Sequence, residues 1–184
     1  MRITETPLEG CLVITPTIFK DERGSFLEAF NERDFRSATG RSVHFVQDNR
    51  SESSKGVLRG LHFQTGDSAQ SKLVSVVKGR ALDVGVDIRP SSPTFGQHFT
   101  IVLDAKSHQQ LFIPKGFAHG FLALEDPTIL SYKCDQFYNQ ASEAGILFND
   151  PDLNIDWRIS ESAVLLSEKD RNLPLLRALS ITPC

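Results

Sequence analysis

The octet Val57-Leu58-Arg59-Gly60-Leu61-His62-Phe63-Gln64 sets a cation, a titratable imidazole and an amide inside an otherwise apolar strand. Polar groups in a strand interior must be paired or they cost stability, so each needs a partner or a purpose. His62 changes charge near neutral pH and can lend or take a proton. A second imidazole, His119, stands in Gly116-Phe117-Ala118-His119-Gly120-Phe121, where flanking glycines let backbone or a ligand approach closely. Tyr132 alternates with Leu130 and Cys134; facing one cavity with His62, it would give a proton acceptor its donor. Each also has a plain packing explanation: a core histidine satisfied by carbonyls, or a core tyrosine with its hydroxyl tied to backbone. Spacing leaves both explanations open.

A metal site needs several converging ligands, and His-x-His is the natural way for one strand to supply two on one face. Here that spacing gives His62-x-Gln64, and an amide is a poor ligand for first-row metals. No metal is expected. Arg59, Lys72 and Arg23 sit beside strand or turn positions, where a solvated surface charge is the ordinary reading. Strand parity puts Arg59 and His62 on opposite faces, and Gly60 marks where a bulge would turn the strand between them. Asp170 closes the capping-box pattern Ser167-Glu168-Lys169-Asp170, which accounts for it, and Gln47-Asp48-Asn49 reads as a strand end and turn.

These groups hang on a series of short elements. Leu12-Val13-Ile14 and Thr17-Ile18-Phe19 flank Pro16. Asp21-Glu22-Arg23-Gly24 is a turn signal before Phe26-Leu27-Glu28-Ala29-Phe30, whose alternation puts Phe26, Glu28 and Phe30 on one face. Asn31 is the N-cap of a helix predicted over 32–39, with Gly40 as its stop. Strands are predicted over 73–77, 81–88, 99–103, 110–113, 120–124 and 129–132. In the clearest of them Leu82, Val84, Val86 and Ile88 face one way, and Asp83, Gly85 and Asp87 the other. The segment 89–96 is a Pro- and Gly-rich loop, and short helices follow over about 160–178, limited by Pro174. No long helix interrupts the strands, which disfavours a parallel sheet and fits a mainly β, jelly-roll-type sandwich or barrel with short flanking helices.

Composition sets the bounds. With 184 residues, 40% apolar content and 13 Phe, a single folded domain over 1–184 is expected. A net charge of -3 with no basic cluster excludes a nucleic-acid footprint. No apolar run reaches membrane length, and the first residues lack the apolar core of a signal peptide. Cys11, Cys134 and Cys184 have no metal-type spacing and are odd in number, so neither a disulfide framework nor a zinc site is expected. The chain reads as cytoplasmic, without membrane or nucleic-acid partners.

Several longer runs, in order and spacing, resemble the dTDP-4-dehydrorhamnose 3,5-epimerase family of the cupin class. They are Phe19-Lys20-Asp21-Glu22-Arg23-Gly24-Ser25-Phe26-Leu27-Glu28, Phe45-Val46-Gln47-Asp48-Asn49, the octet preceded by Gly56, Gln70-Ser71-Lys72-Leu73 and the segment 87–96. Ile113-Pro114-Lys115-Gly116-Phe117-Ala118-His119-Gly120-Phe121, Tyr132-Lys133 and Asn149-Asp150-Pro151 complete the set. The likeness runs from about residue 2 to about 175. It implies a cofactor-free, metal-independent isomerase acting on a dTDP-sugar, dTDP-4-dehydro-6-deoxy-D-glucose, at C3 and C5. His62 resembles the family's base, Tyr132 the acid on the opposite face, Asp170 the carboxylate holding His62, and Lys72 the cation for the oxyanion at O4. Arg59 and Arg23 resemble a diphosphate clamp. Gln47, Asn49, Glu28, His119, Glu143 and Lys169 match other nucleotide-sugar contacts, and Phe19 and Tyr138 resemble neighbours of the base.

The resemblance further implies a homodimer, with an N-terminal arm of about 1–40 at the interface and Arg23 and Glu28 completing the neighbour's site. Phe63 stands where many members have Tyr, and Thr65-Gly66-Asp67-Ser68-Ala69 lacks the family's proline. Three other readings stay open: an epimerase of one carbon only, a nucleotide-sugar binding module without catalysis, and a metal-holding cupin oxygenase.

Overall fold

In the computed structural model, which describes residues 1–179, apolar alternation yields antiparallel strands in two facing sheets. One sheet runs in the order β1 (Arg2–Glu5), β2 (Leu12–Thr15), β10 (Gln110–Ile113), β7 (Lys72–Lys78), β12 (Thr128–Cys134) and β5 (Gln47–Ser53). The other runs β13 (Glu143–Gly145), β6 (Leu58–Gln64), β11 (Phe117–Ala123), β8 (Arg80–Asp87) and β9 (His98–Asp104). A separate hairpin, β3 (Ile18–Asp21) and β4 (Gly24–Leu27), lies outside both. This is the expected jelly-roll-type sandwich. No helix among the described residues is long and apolar enough to cross a membrane.

Three apolar layers hold it. Val74, Leu111, Ile113, Phe117 and Leu130 fill the space between the sheets. On the outer face of the six-stranded sheet, Leu12, Ile14, Leu73 and Phe112 pack on Phe35 of α1 (Glu32–Thr39). That helix is bounded as its sequence predicts: the Asn31 side chain accepts the Asp34 N–H, and Gly40 ends it at φ 70°. The outer face of the five-stranded sheet is covered by the C-terminal segment, where Phe148, Trp157 and Leu176 meet Leu82, Val84 and Val86. The Trp157 indole donates to the Phe148 carbonyl at 2.8 Å, which satisfies its only polar atom.

The structure corrects several expectations. Because both faces of the five-stranded sheet are covered, β8 is not half-solvated, and Asp83 and Asp87 are fully buried. Asp87 accepts from Arg89 Nη2, Ser92 Oγ and Thr94 Oγ1, each at 2.6 Å, and so pins the loop that follows it. Burial pushes its carboxyl up, but these hydrogen bonds prevail and hold it down at about 2. Gln47–Ser53 is a full strand rather than a strand end: Gln47, Asn49 and Ser51 face a cavity while Asp48, Arg50 and Glu52 face out. β11 starts at Phe117, so His119 sits mid-strand, not in the turn. β4 stops at Leu27, so Phe26, Glu28 and Phe30 share no face. Phe26 is exposed on the hairpin, Glu28 accepts from Asn31 Nδ2 at 3.2 Å, and Phe30 packs edge-on to Phe45 at 4.9 Å. Strands β1 and β13 carry no alternation that announces them. The short helical pieces fall where expected, at Glu161–Ala163, α2 (Glu168–Arg171) and Leu176–Ala178. Cys11 and Cys134 are free and buried, and Cys184 lies outside the described residues.

Candidate active site

Between the sheets lies a cavity of about 640 Å³ into which both contribute. Strand β6 brings Arg59 and His62 to it, which strict alternation forbids. The register explains how: His62 pairs with His119 and Arg59 with Phe121, so three steps on β6 oppose two on β11. Gly60, at φ 126°, makes this bulge, and a Cβ there would lie 2.5 Å from Gly120 Cα. The bulge that the sequence marked is therefore what puts both side chains on one cavity.

His62 Nε2 lies 2.6 Å from Asp170 Oδ1, and Asp170 is buried. Half of the capping box forms, the Asp170 N–H donating to Ser167 Oγ at 3.0 Å, and that half uses only the backbone of Asp170. The carboxylate is left for the imidazole. Burial pushes the Asp170 carboxyl up, but the His62 hydrogen bond and charge, with further donors from Ser167 and the Gly60 backbone, hold it below the usual carboxylate range. It thus remains an anion able to orient His62 and to stabilise its charged form.

Across the cavity, β12 supplies Tyr132 and β7 supplies Lys72, whose ammonium stands 5.9 Å from the centre of the Tyr132 ring. Burial raises the Tyr132 hydroxyl pKa and keeps it a donor at neutral pH. The same burial lowers Lys72, with the charges of Cys134, Asp83 and Glu143 opposing. His119 forms a second imidazole–carboxylate pair, Nε2 to Asp83 Oδ1 at 2.8 Å, and its ring meets Tyr132 edge-on at 6.4 Å. Asp83 Oδ2 has no hydrogen-bond partner among the described residues. One signal in the sequence pointed to Asp83, an acid inside the most regular strand, facing opposite to Leu82, Val84 and Val86.

The rim is built by the loop before β13 and by α2. Lys169 Nζ pairs with Glu143 Oε2, and the Tyr138 hydroxyl donates to the same oxygen at 3.0 Å. Gln47 and Asn49 reach the cavity from β5, and Gln47 accepts the Tyr138 N–H at 2.9 Å. Arg59 is steadied by Ser53 Oγ at 3.1 Å and the Glu52 carbonyl at 3.2 Å. Phe19, Arg23 and Glu28 are not brought in: none of them lines this cavity. Arg23 instead meets Asp21 at 2.6 Å on the exposed hairpin. Among the described residues no group of three or more His, Cys, Asp and Glu is placed to hold a metal. What is assembled is a base with its anchoring anion, a protonated phenol and a buried cation, a set suited to moving protons beside a carbonyl.

A family model described as dTDP-4-dehydrorhamnose 3,5-epimerase matches residues 5–178. The chain belongs to this epimerase family. The dTDP-4-dehydrorhamnose 3,5-epimerase of Shigella flexneri is 49% identical over 172 residues, covering 94% of each chain. Among solved structures, the dTDP-4-dehydrorhamnose 3,5-epimerase of Elizabethkingia anophelis NUHP1 is 52% identical, with a TM-score of 0.94 and 97% of each chain covered. The dTDP-6-deoxy-D-glucose-3,5-epimerase of Legionella pneumophila, in complex with dTDP-4-keto-L-rhamnose, has a TM-score of 0.95 at 44% identity. It covers 100% of this chain, and 98% of that chain is covered. Phe63 is buried under the C-terminal segment. The proline-free loop forms a short 3-10 turn, Gly66–Ser68.

Proposed function

We propose that this chain inverts C3 and C5 of dTDP-4-dehydro-6-deoxy-D-glucose to give dTDP-4-dehydro-L-rhamnose, with proton exchange in the cavity between its sheets. Both carbons flank the C4 ketone, so loss of either proton gives an enolate whose negative charge sits on O4. His62, oriented by Asp170, takes the proton from one face. Lys72 stabilises the enolate oxygen, a charge that exists mainly in the transition state and intermediate. Tyr132 returns a proton from the opposite face, and the centre is inverted. Arg59, His119, Gln47 and Asn49 hold the diphosphate and sugar, with Tyr138, Glu143 and Lys169 at the nucleoside end. The observation that carries this reading is the 2.6 Å His62–Asp170 pair sharing one cavity with Tyr132 and Lys72.

The working unit is a homodimer in the cytoplasm. The hairpin supports this: Phe19 and Phe26 are 60% and 69% exposed on a two-stranded ribbon that joins neither sheet. An isolated ribbon with an apolar face is marginal in water and gains by packing on a second copy. In that arrangement Phe19, Arg23 and Glu28 complete the neighbour's cavity.

The test is proton exchange in heavy water, followed at C3 and C5 by NMR, with His62→Asn as control. Deuterium at both carbons, lost in the control, is the expected result. Label at one carbon only makes this a single-centre epimerase, and binding without label leaves a nucleotide-sugar carrier.

A further inference from the structure

Gln64 follows His62 on β6, is 7% exposed and lines the cavity, yet its amide is turned away to two neighbouring loops, at Ser68 and at residues 137–139. Its Oε1 accepts the Asn139 N–H at 2.7 Å, and its Nε2 donates to the carbonyls of Phe137 at 3.4 Å and Ser68 at 3.3 Å. Two of these bonds therefore grip the main chain on either side of Tyr138. The register places Gln64 opposite Glu143, the acceptor of the Tyr138 hydroxyl. Tyr138 itself is 52% exposed and Phe137 66%, so this loop has little apolar packing to fix it. A segment so placed is ordered by its hydrogen bonds.

We infer that Gln64 is a positioning residue that holds Tyr138 at the cavity mouth, coupling the strand of the base to the platform for the nucleoside. This rests on the reading that the cavity takes a thymidine nucleotide sugar with Tyr138 at the base. Two of its three bonds go to the residues flanking a single exposed ring, and the third ties the amide to the Ser68 carbonyl. The role belongs to ground-state binding, not to the proton transfers, because no bond of Gln64 reaches His62.

Gln64→Leu removes all three bonds at nearly constant volume. Gln64→Glu keeps the acceptor for Asn139 and sets an anion against two carbonyls, and it serves as the readout if the leucine variant does not fold. The expected result for either is that Kd for dTDP and KM rise about ten-fold while kcat stays within about two-fold. In a Tyr138→Ala background the same change adds little, as for two residues acting as one unit. The chain has two tyrosines, so 3-fluorotyrosine labelling gives two fluorine resonances. The Tyr138 signal shifts or broadens and the Tyr132 signal does not. Wild-type dTDP affinity, an unmoved Tyr138 resonance, a full loss in the Tyr138→Ala background, or a fall in kcat at constant KM would each overturn the assignment. Failure of the wild type to bind dTDP defeats the nucleotide-sugar reading instead, and the fluorine spectrum then still decides what Gln64 holds.

Discussion

At the residue scale, the His62–Asp170 pair makes a kinetic statement. Its hydrogen bond strengthens as the imidazole gains charge, so removing the anion penalises the transition state more than the bound substrate. Asp170→Asn is expected to lower kcat by about 10²–10³-fold with little change in KM, measured by steady-state kinetics. Equal turnover would return Asp170 to the duty of a helix cap. Burial moves the two groups across the cavity in opposite directions, Lys72 down and Tyr132 up. Burial brings loss of the Lys72 proton to lower pH than for a free lysine, so Lys72→Arg is expected to shift the alkaline limb of the kcat/KM profile upward in a pH-rate series. The residues proposed for these roles, and their meeting in one cavity, were legible from their types and from motif order. Asp83 was not, because alternation reports which side of a strand a residue faces and not whether that side is wet.

At the element scale, one glycine decides whether two side chains share a cavity. Gly60→Ala places a methyl against Gly120 and the His119 carbonyl on a backbone at φ 126°, and rotation cannot relieve it. The expected cost is about 2–3 kcal/mol in denaturant unfolding, with activity lost beyond the fraction unfolded. The loop after β8 gives a second test. The folded-state pKa of Asp87 is depressed to about 2, so its contribution is fully present above its ordinary value of about 3.9 and is lost as pH falls through that window. Acid unfolding monitored between those limits shows a loss of up to about 2 kcal/mol, and Asp87→Asn flattens it. Elements with a clear period, such as α1 and β8, were readable from sequence. Strand β5 was not, since a cavity on one face and solvent on the other make both of its faces polar.

At the scale of the whole molecule, the sandwich class was legible, but strands β1, β5 and β13 and the order of strands within each sheet were not. That order arises from contacts far apart in sequence, which no local pattern encodes. The hairpin is a further case, because the surface we propose to meet another copy looks merely exposed in a single chain. Mixing Arg23→Ala and His62→Asn subunits tests it. Each is inactive alone, and random re-pairing restores about a quarter of wild-type activity if Arg23 serves its neighbour's site. No recovery would place each site within one chain. The C-terminal cover has a consequence in time. His62 and Asp170 are separated by 108 residues, and Asp170 arrives with the segment that seats Trp157 on the five-stranded sheet. During refolding, turnover therefore returns in step with Trp157 fluorescence and later than the β-sheet signal. A chain whose strands have formed but whose last described segment has not docked holds a pocket with an unanchored base, so catalysis itself reports that this segment is seated.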